Sequence, residues 1–512
     1  VIAPVHLWRL LIWGRRMARF GALRPFEGPR LPLAIRAVAR IARLGARAPV
    51  TPDFAGALAA VGPAAIKLGQ ALATRPDLIG VAAASDLARL QDQVPPAPFE
   101  IMAPIIDAAC GGDWRRQFAH IDPVAVGAAS IAQVHKGETS DGRPVAIKLL
   151  RPGIETDVAR ALATYEWAAA RLERLGGEFA RLRPRAVIAT FRSWIEAELD
   201  LRREAANASE LAEILAGEPD FRVPAVDWQR SGRRMLVIDW IDGVKVSDTA
   251  GMAALDVDRS ALARVLVNGF LAQAIAKGFF HADLHQGNLF VIPPDSAHGH
   301  ARIGVIDFGI MGRINRRARL YLAEILYGLV TGNYGRVAEI HFEAGYVPAH
   351  HNQAAFATAL RAVGEPIRGR RARDIAITDL LEGLFAITRS FDMPVQPHLL
   401  LLQKTMVMVE GVALTIDPQV NMWEVAEPYV RDWVRNEMGP EAVIADALVL
   451  NARALAQLPR IYRQWVADNP MPGAAPPQPP LPTLPGTDRA GWSTPWLLLA
   501  AGIGAAAALL LG

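Results

Sequence analysis

The chain has 512 residues, a formal net charge of +4, a single cysteine and 52% hydrophobic residues, with a mean hydropathy of +0.18. That length accommodates two lobes with extensions, and one cysteine excludes a disulfide framework and suits a reducing compartment. The charge is unevenly placed: residues 1–47 carry ten arginines against the single acid Glu27, a local +9, so the remainder stands at −5.

In chain order, residues 1–50 read as a basic amphipathic arm in which Trp8 and Trp13 sit among arginines. Such an arm is expected to lie on an anionic membrane surface, each basic residue adding about 1 kcal/mol near the lipid. The plainer alternative is a helix packed on the body with a solvated arginine face. A nucleic-acid arm is disfavoured because no groove-reading motif follows, and charges interrupt the apolar stretch too often for a secretory signal. Residues 51–120 read as a helical extension containing Lys67-Leu-Gly-Gln70.

Residues 121–243 read as a β-rich lobe interrupted by helices around 153–217. Asp141-Gly142 is a hairpin signal, and Leu236–Gly243 reads as the last strand and a hinge. A helical lobe is expected over 244–469, with Pro293–His300 as a turn-rich insert between two strands. Residues 470–495 form a linker whose first sixteen residues contain eight prolines, a composition for an extended spacer. The 17 uncharged residues of 496–512 are expected to form a transmembrane or membrane-inserted helix. Gly502 and Gly504 would suit close helix contact in lipid, such as a homodimer.

The chemistry concentrates in His281-Ala-Asp283-Leu-His285-Gln-Gly-Asn288 and in Asp307-Phe308-Gly309, which begins 24 residues after Asp283. Kinase-like folds place an Asp beside the attacking hydroxyl, an Asn five positions later, and the Asp of a DFG triplet; the last two hold magnesium on ATP phosphates. Asp283, Asn288 and Asp307 have that order and spacing. A zinc reading of the alternating His281, Asp283 and His285 lacks a further ligand cluster to complete it. His281 is expected to pack behind the loop.

Such a fold also needs a strand lysine, and Val145-Ala-Ile-Lys148 supplies it, with Lys148 placed for the α/β-phosphates. The loop upstream is not glycine-rich. It reads Gly127-Ala128-Ala129-Ser130-Ile131-Ala132-Gln133-Val134, where alanine lacks glycine's conformational freedom and its methyl stands where backbone would approach phosphate. Glu198, Asp200 and Glu204, on a helical pattern, are the candidate carboxylate partners of Lys148. Glu198 and Arg202 also form an i,i+4 pair of the kind that laces a solvated face.

These residues resemble the UbiB family of atypical kinase-like proteins, linked to ubiquinone biosynthesis. Lys67–Gln70 is similar to its K-x-G-Q signature, Ala128–His135 to its alanine-rich loop, Glu198-Leu-Asp200 to its E-x-D motif, and Leu399–Trp423 to a helical segment of bacterial members. The resemblance covers roughly residues 20–470. It implies an α+β, atypical protein-kinase-like two-lobe fold with a helical N-terminal extension and a C-terminal membrane helix. It further implies ATP and Mg²⁺ as cofactors, Lys148 paired with Glu204, Lys67 lying over the nucleotide site near Glu198 and Asp200, and a peptide groove filled by the extension. Gly127, Leu284 and Gln286 depart from the family's usual residues without removing a chemical role.

The function implied is a membrane-associated atypical kinase or ATPase of the bacterial inner membrane, its catalytic body cytoplasmic, supporting ubiquinone synthesis. It would act on or present polyprenyl-phenol or quinone intermediates, in contact with membrane lipids and other enzymes of that synthesis. The alternatives are a part in 2-polyprenylphenol 6-hydroxylation, against which stands the lack of a dinucleotide fingerprint or iron site, and a non-catalytic scaffold binding nucleotide and lipid.

Overall fold

The computed structural model describes residues 3–24, 33–45, 51–73, 81–87, 95–174, 183–296, 298–365, 386–394 and 396–438, with isolated positions among them. In chain order, α1 (Ala3–Ala18), α2 (Leu33–Arg43), α3 (Phe54–Val61), α4 (Pro63–Ala73), α5 (Val81–Leu87) and α6 (Phe99–Ala109) precede the first sheet. Then come β1 (Phe118–Ala128), β2 (Ala132–Thr139), β3 (Pro144–Leu150), α7 (Ile154–Arg174), α8 (Pro184–Glu198), α9 (Leu201–Ile214), β4 (Phe221–Arg222) and β5 (Met235–Asp239). Next are β6 (Val244–Lys245), α10 (Thr249–Ala254), α11 (Arg259–Leu271), β7 (Phe279–His281), β8 (Leu289–Ile292), β9 (Arg302–Val305) and β10 (Met311–Arg313). The last described elements are α12 (Arg316–Thr331), α13 (Tyr334–Glu343), α14 (Gln353–Gly364), α15 (Pro397–Ile416) and α16 (Met422–Met438).

The described residues divide into two compact units, one within 1–206 with 225–240 and one within 207–224 with 241–438. The first unit holds an antiparallel sheet of order β1-β2-β3-β5. Strand alternation decides what each residue of β3 meets. Val145, Ile147 and Leu149 pack with Met102, Ile105 and Ile106 of α6 and with Met235 and Val237 of β5. Leu150 falls on the other face with Leu236, Ile238 and the buried stripes of α7 and α8, including Tyr165, Phe191 and Ile195. Lys148 has the parity of Leu150. The β2–β3 turn carries Gly142 at φ +84°, as its Asp-Gly signal predicts.

The N-terminal helices close over a separate core of Leu10, Met17, Phe54, Leu58, Ile66, Leu72 and Leu87, joined by Ala168 and Leu172 of α7. The basic arm packs one face of α1 against α7. The His6 ring stacks on Trp167 with centroids 5.3 Å apart, Trp13 tilts onto Tyr165 at 5.3 Å, and His6 Nδ1 bonds Thr164 Oγ1 at 3.0 Å. Arg9 and Arg16 donate to the carbonyls of Arg160, Ala60 and Val61. His6 and Trp13 are thus used against α7, while Trp8 is 64% exposed.

The second unit contains a sheet of order β4-β9-β8-β6 and the β7–β10 pair. β8 and β9 are antiparallel around the expected insert, which Arg302 pins by a 2.6 Å bond to Asp295 Oδ2. A π-helical turn, Ala272–Lys277, ends at Gly278 with φ +73°, where a Cβ would run into the Ile314 carbonyl. Tyr334, Val337, Phe356 and Leu360 form a further core between α13 and α14.

The expected C-terminal membrane helix, and the inner-membrane location that rested on it, are also corrected. Among the described residues no helix is long and apolar enough to cross a membrane. Residues 496–512, like the proline-rich 470–495, lie outside the described residues.

Candidate functional site

In the first unit, Lys148 reaches from the helix-covered face of β3 to Glu204 on α9, with Nζ 2.7 Å from Oε1. Both side chains are largely buried, so the pair is a desolvated, charge-assisted hydrogen bond. Beneath the neighbouring helices a second pair joins Lys67 of α4 to Glu198 at the end of α8, the lysine side chain only 7% exposed. Asp200 is held by Arg202, through Nε at 2.9 Å and Nη2 at 2.6 Å. That guanidinium keeps the Asp200 carboxyl below the usual carboxylate range. Arg202 therefore serves Asp200, where helical spacing had suggested Glu198.

The alanine-rich loop is a tight turn: Ala129 N–H donates to the Ala132 carbonyl at 2.7 Å. Arg151 braces it, its backbone N–H on the Ile131 carbonyl and its Nε on the Ala129 carbonyl, each 2.9 Å. Ser130, Ile131, Ala132 and Gln133 are buried, and Val134 lies opposite Lys148 in the β2–β3 register. Gln133 uses its amide on the backbone of Ala97, accepting from N–H at 2.8 Å and donating to the carbonyl at 3.1 Å. Gly127 and Ala128 close β1; a methyl added at Gly127 would meet nothing within 4 Å.

In the second unit, the loop after β7 hangs on His281. Its Nδ1 accepts from the Asp283 N–H at 3.1 Å, so Nε2 carries the proton that bonds the Ile306 carbonyl at 3.1 Å. The ring is fully buried, edge-on to Phe308 with centroids 5.7 Å apart, and burial lowers its pKa against the opposing pull of Asp307 and Asp283. It stays neutral and structural, as expected. Asn288 Nδ2 donates to the Asp283 carbonyl at 3.0 Å, which fixes the five-residue loop and orients Oδ1 as the amide's acceptor end. Asp307 follows β9 at φ +65°, a left-handed conformation that Asp tolerates better than most residues. The next residue, Phe308, is buried and its carbonyl accepts from Asn207 Nδ2 at 2.9 Å.

Two residues near Asp283 escaped the sequence reading. Lys404 of α15 brings its Nζ to 3.8 Å from Asp283 Oδ1, and His285 brings Nε2 to 3.8 Å from Oδ2. Lys404 lies 121 positions beyond Asp283 on a mostly apolar helix, with no local signal to mark it. His285 had been weighed only as a zinc ligand.

The donor types fit magnesium and phosphate. An Asn oxygen and an Asp carboxylate are the hard ligands Mg²⁺ takes, and a paired strand lysine is a phosphate-orienting cation. Against known proteins, residues 89–341 match the ABC1 atypical kinase-like domain and residues 360–421 match the UbiB helical domain. A Marinobacter nauticus protein named "Probable protein kinase UbiB" is 38% identical over 388 residues, 76% of this chain and 71% of that one. The chain belongs to the UbiB family. Among solved structures, the complex of Rv3197 with erythromycin from Mycobacterium tuberculosis is 25% identical, covers 72% of this chain and 92% of that one, and has a TM-score of 0.49. A Rio2 kinase complex with ADP, Mg²⁺ and phosphoaspartate from Chaetomium thermophilum is 13% identical over 77% of this chain and 96% of that one, with a TM-score of 0.27. Within the UbiB frame, Lys148, Glu204, Asp283, Asn288 and Asp307 fall in the kinase-like domain, Lys404 falls in the helical domain, and Lys67 precedes both.

Proposed function

We propose that this UbiB-family chain binds Mg–ATP and transfers or hydrolyses its terminal phosphoryl group in support of ubiquinone biosynthesis, acting on or presenting polyprenyl-phenol intermediates. The observation that carries this reading is the 2.7 Å Lys148–Glu204 pair. Kinase-type phosphoryl transfer requires a strand lysine joined to a helix glutamate, whereas stability alone gives a desolvated ion pair little reason to persist.

Lys148 would orient the α/β-phosphates, with Glu204 setting its position. Asn288 and Asp307 would hold Mg²⁺, which when bound neutralises charge on the phosphate oxygens. Asp283 would accept the proton of an attacking hydroxyl or position a water, its backbone steadied by His281 and Asn288. Lys67 and Glu198, the K-x-G-Q and E-x-D residues, would order the nucleotide side of the first unit through their own buried pair.

The test is Mg–ATP binding and turnover by the purified full chain beside its Asp307→Asn variant, together with ubiquinone content in cells relying on either form. Loss of Mg-dependent binding, turnover and quinone in the variant supports the reading. Full quinone content with Asp307→Asn would leave a non-catalytic scaffold.

A further inference from the structure

Phosphoryl transfer depends on cations placed around the terminal phosphate, since positioning and electrostatics supply most of the catalysis. The catalytic loop provides few of them. Between Gly278 and Arg302 the sequence holds no lysine or arginine; of the two histidines flanking Asp283, His281 is buried and bonded to backbone on both nitrogens, and His285 has its Nδ1 occupied as acceptor of the Gly287 N–H at 3.0 Å. The cation the fold brings to Asp283 comes from another part of the chain: Lys404 on α15, in the segment matching the UbiB helical domain.

Three features separate Lys404 from an ordinary surface ion pair. Its Nζ stands 3.8 Å from Asp283 Oδ1, beyond hydrogen-bonding reach, so the carboxylate sits beside the ammonium without taking up its donors. Its side chain is 44% exposed, and a pair that open and that long adds little to stability. Its backbone, by contrast, is tied to the loop. Thr405, fully buried, donates Oγ1 to the Leu401 carbonyl of its own helix at 2.8 Å with the Ala282 carbonyl 3.3 Å away, and Gln286 Nε2 donates to Thr415 Oγ1 at 3.0 Å. Val409, Val412, Ala413 and Ile416 are buried along the same helix. A fixed base carrying a flexible stem and a cation with donors to spare suits a charge that closes on an anionic ligand beside Asp283.

We propose that Lys404 is the residue that recognises the terminal phosphate of the nucleoside triphosphate, supplied to the catalytic loop by the helical domain, so that this domain raises the affinity for a triphosphate relative to a diphosphate. The proposal rests on the Mg–ATP reading above and extends it to a residue outside the kinase-like domain. Lys148, the α/β-phosphate lysine, does not discriminate in this way, because those phosphates are common to ATP and ADP. The ratio of the two affinities is therefore the signature of Lys404.

The experiment titrates the purified full chain, Lys404→Ala, Lys404→Gln and Lys404→Arg with Mg–ADP and with a non-hydrolysable Mg–ATP analogue, with a thermal unfolding scan of each. A charge-assisted hydrogen bond corresponds to about a tenfold to hundredfold change in affinity. Lys404→Ala and Lys404→Gln should lose about that factor for the triphosphate analogue while ADP affinity stays within about twofold, and Lys404→Arg should retain most of the preference. Equal weakening of both nucleotides, or an unchanged ratio, overturns the proposal. If Lys404→Ala does not fold, the near-isosteric Lys404→Gln decides. Failure of the unaltered chain to bind either nucleotide rejects the Mg–ATP reading and this proposal together. Nucleotide binding that requires Asp307 but ignores Lys404 rejects this proposal alone.

Discussion

Glu198→Gln should destabilise the first unit strongly, and Lys67→Met should largely reverse the damage. Lys67 is 7% exposed at its side chain and Glu198 is 23% exposed. Neutralising Glu198 leaves an ammonium buried without its counter-charge, and breaking a buried pair from one side costs about 3–5 kcal/mol. Because water reaches part of Glu198, the lower end applies, about 3 kcal/mol. At about 2–4 °C per kcal/mol for a unit of this size, the melting temperature of that transition should drop by about 6–12 °C. The double variant Lys67→Met/Glu198→Gln removes both charges, keeps the lysine's apolar stem, and should recover about 1.5–3 kcal/mol relative to the sum of the two single changes. The assay is denaturant unfolding followed by tryptophan fluorescence, since Trp13, Trp167 and Trp194 all pack in this unit. Strict additivity of the two changes would refute the claim that these charges depend on each other.

Glu204→Gln removes the charge opposite Lys148 and should weaken Mg–ATP binding about tenfold or more, as nucleotide titration below the variant's melting transition would show, and it should also lower stability because a largely buried ammonium loses its counter-charge. Gly278→Ala forces a side chain into φ +73° and against the Ile314 carbonyl, and should cost about 1–3 kcal/mol. Gly127→Ala, whose Cβ meets open space, should stay within about 0.5 kcal/mol, and paired chemical denaturation curves compare the two. Burial chiefly holds His6, His281 and His341 below 6.5. Below pH 6.5 the unfolded chain takes up protons that the folded one refuses, so stability should be full above that pH and decline as pH falls toward the folded values. Urea midpoints between pH 8 and 5 would show the slope, and His281→Gln should flatten it.

Much of the architecture was legible because it depends on short-range periodicity. The two-residue period of β3 already separates Lys148 from Val145, Ile147 and Leu149, the Asp-Gly pair marks the hairpin, and the Asp283–Asn288 spacing closes a loop through a single side-chain bond. His281 behind that loop also follows from its place in the motif. Local pattern does not say which neighbour a long polar side chain will choose. By residue pattern alone Glu198, Asp200 and Glu204 are equally good acids; the family resemblance implied Glu204 for Lys148 and placed Lys67 near Glu198 and Asp200, and packing gives Glu198 to Lys67 and Asp200 to Arg202. The arginine- and tryptophan-rich arm has a membrane-binding composition, and α7 offers its His6 and Trp13 the rings of Trp167 and Tyr165, contacts no single-segment reading contains. Lys404 is the extreme case. It stands 121 positions from Asp283, brought alongside because α15 buries its apolar residues and accepts a bond from Gln286 at Thr415. Residue order determined the chemical parts and their local spacing; burial of apolar faces decided which parts meet.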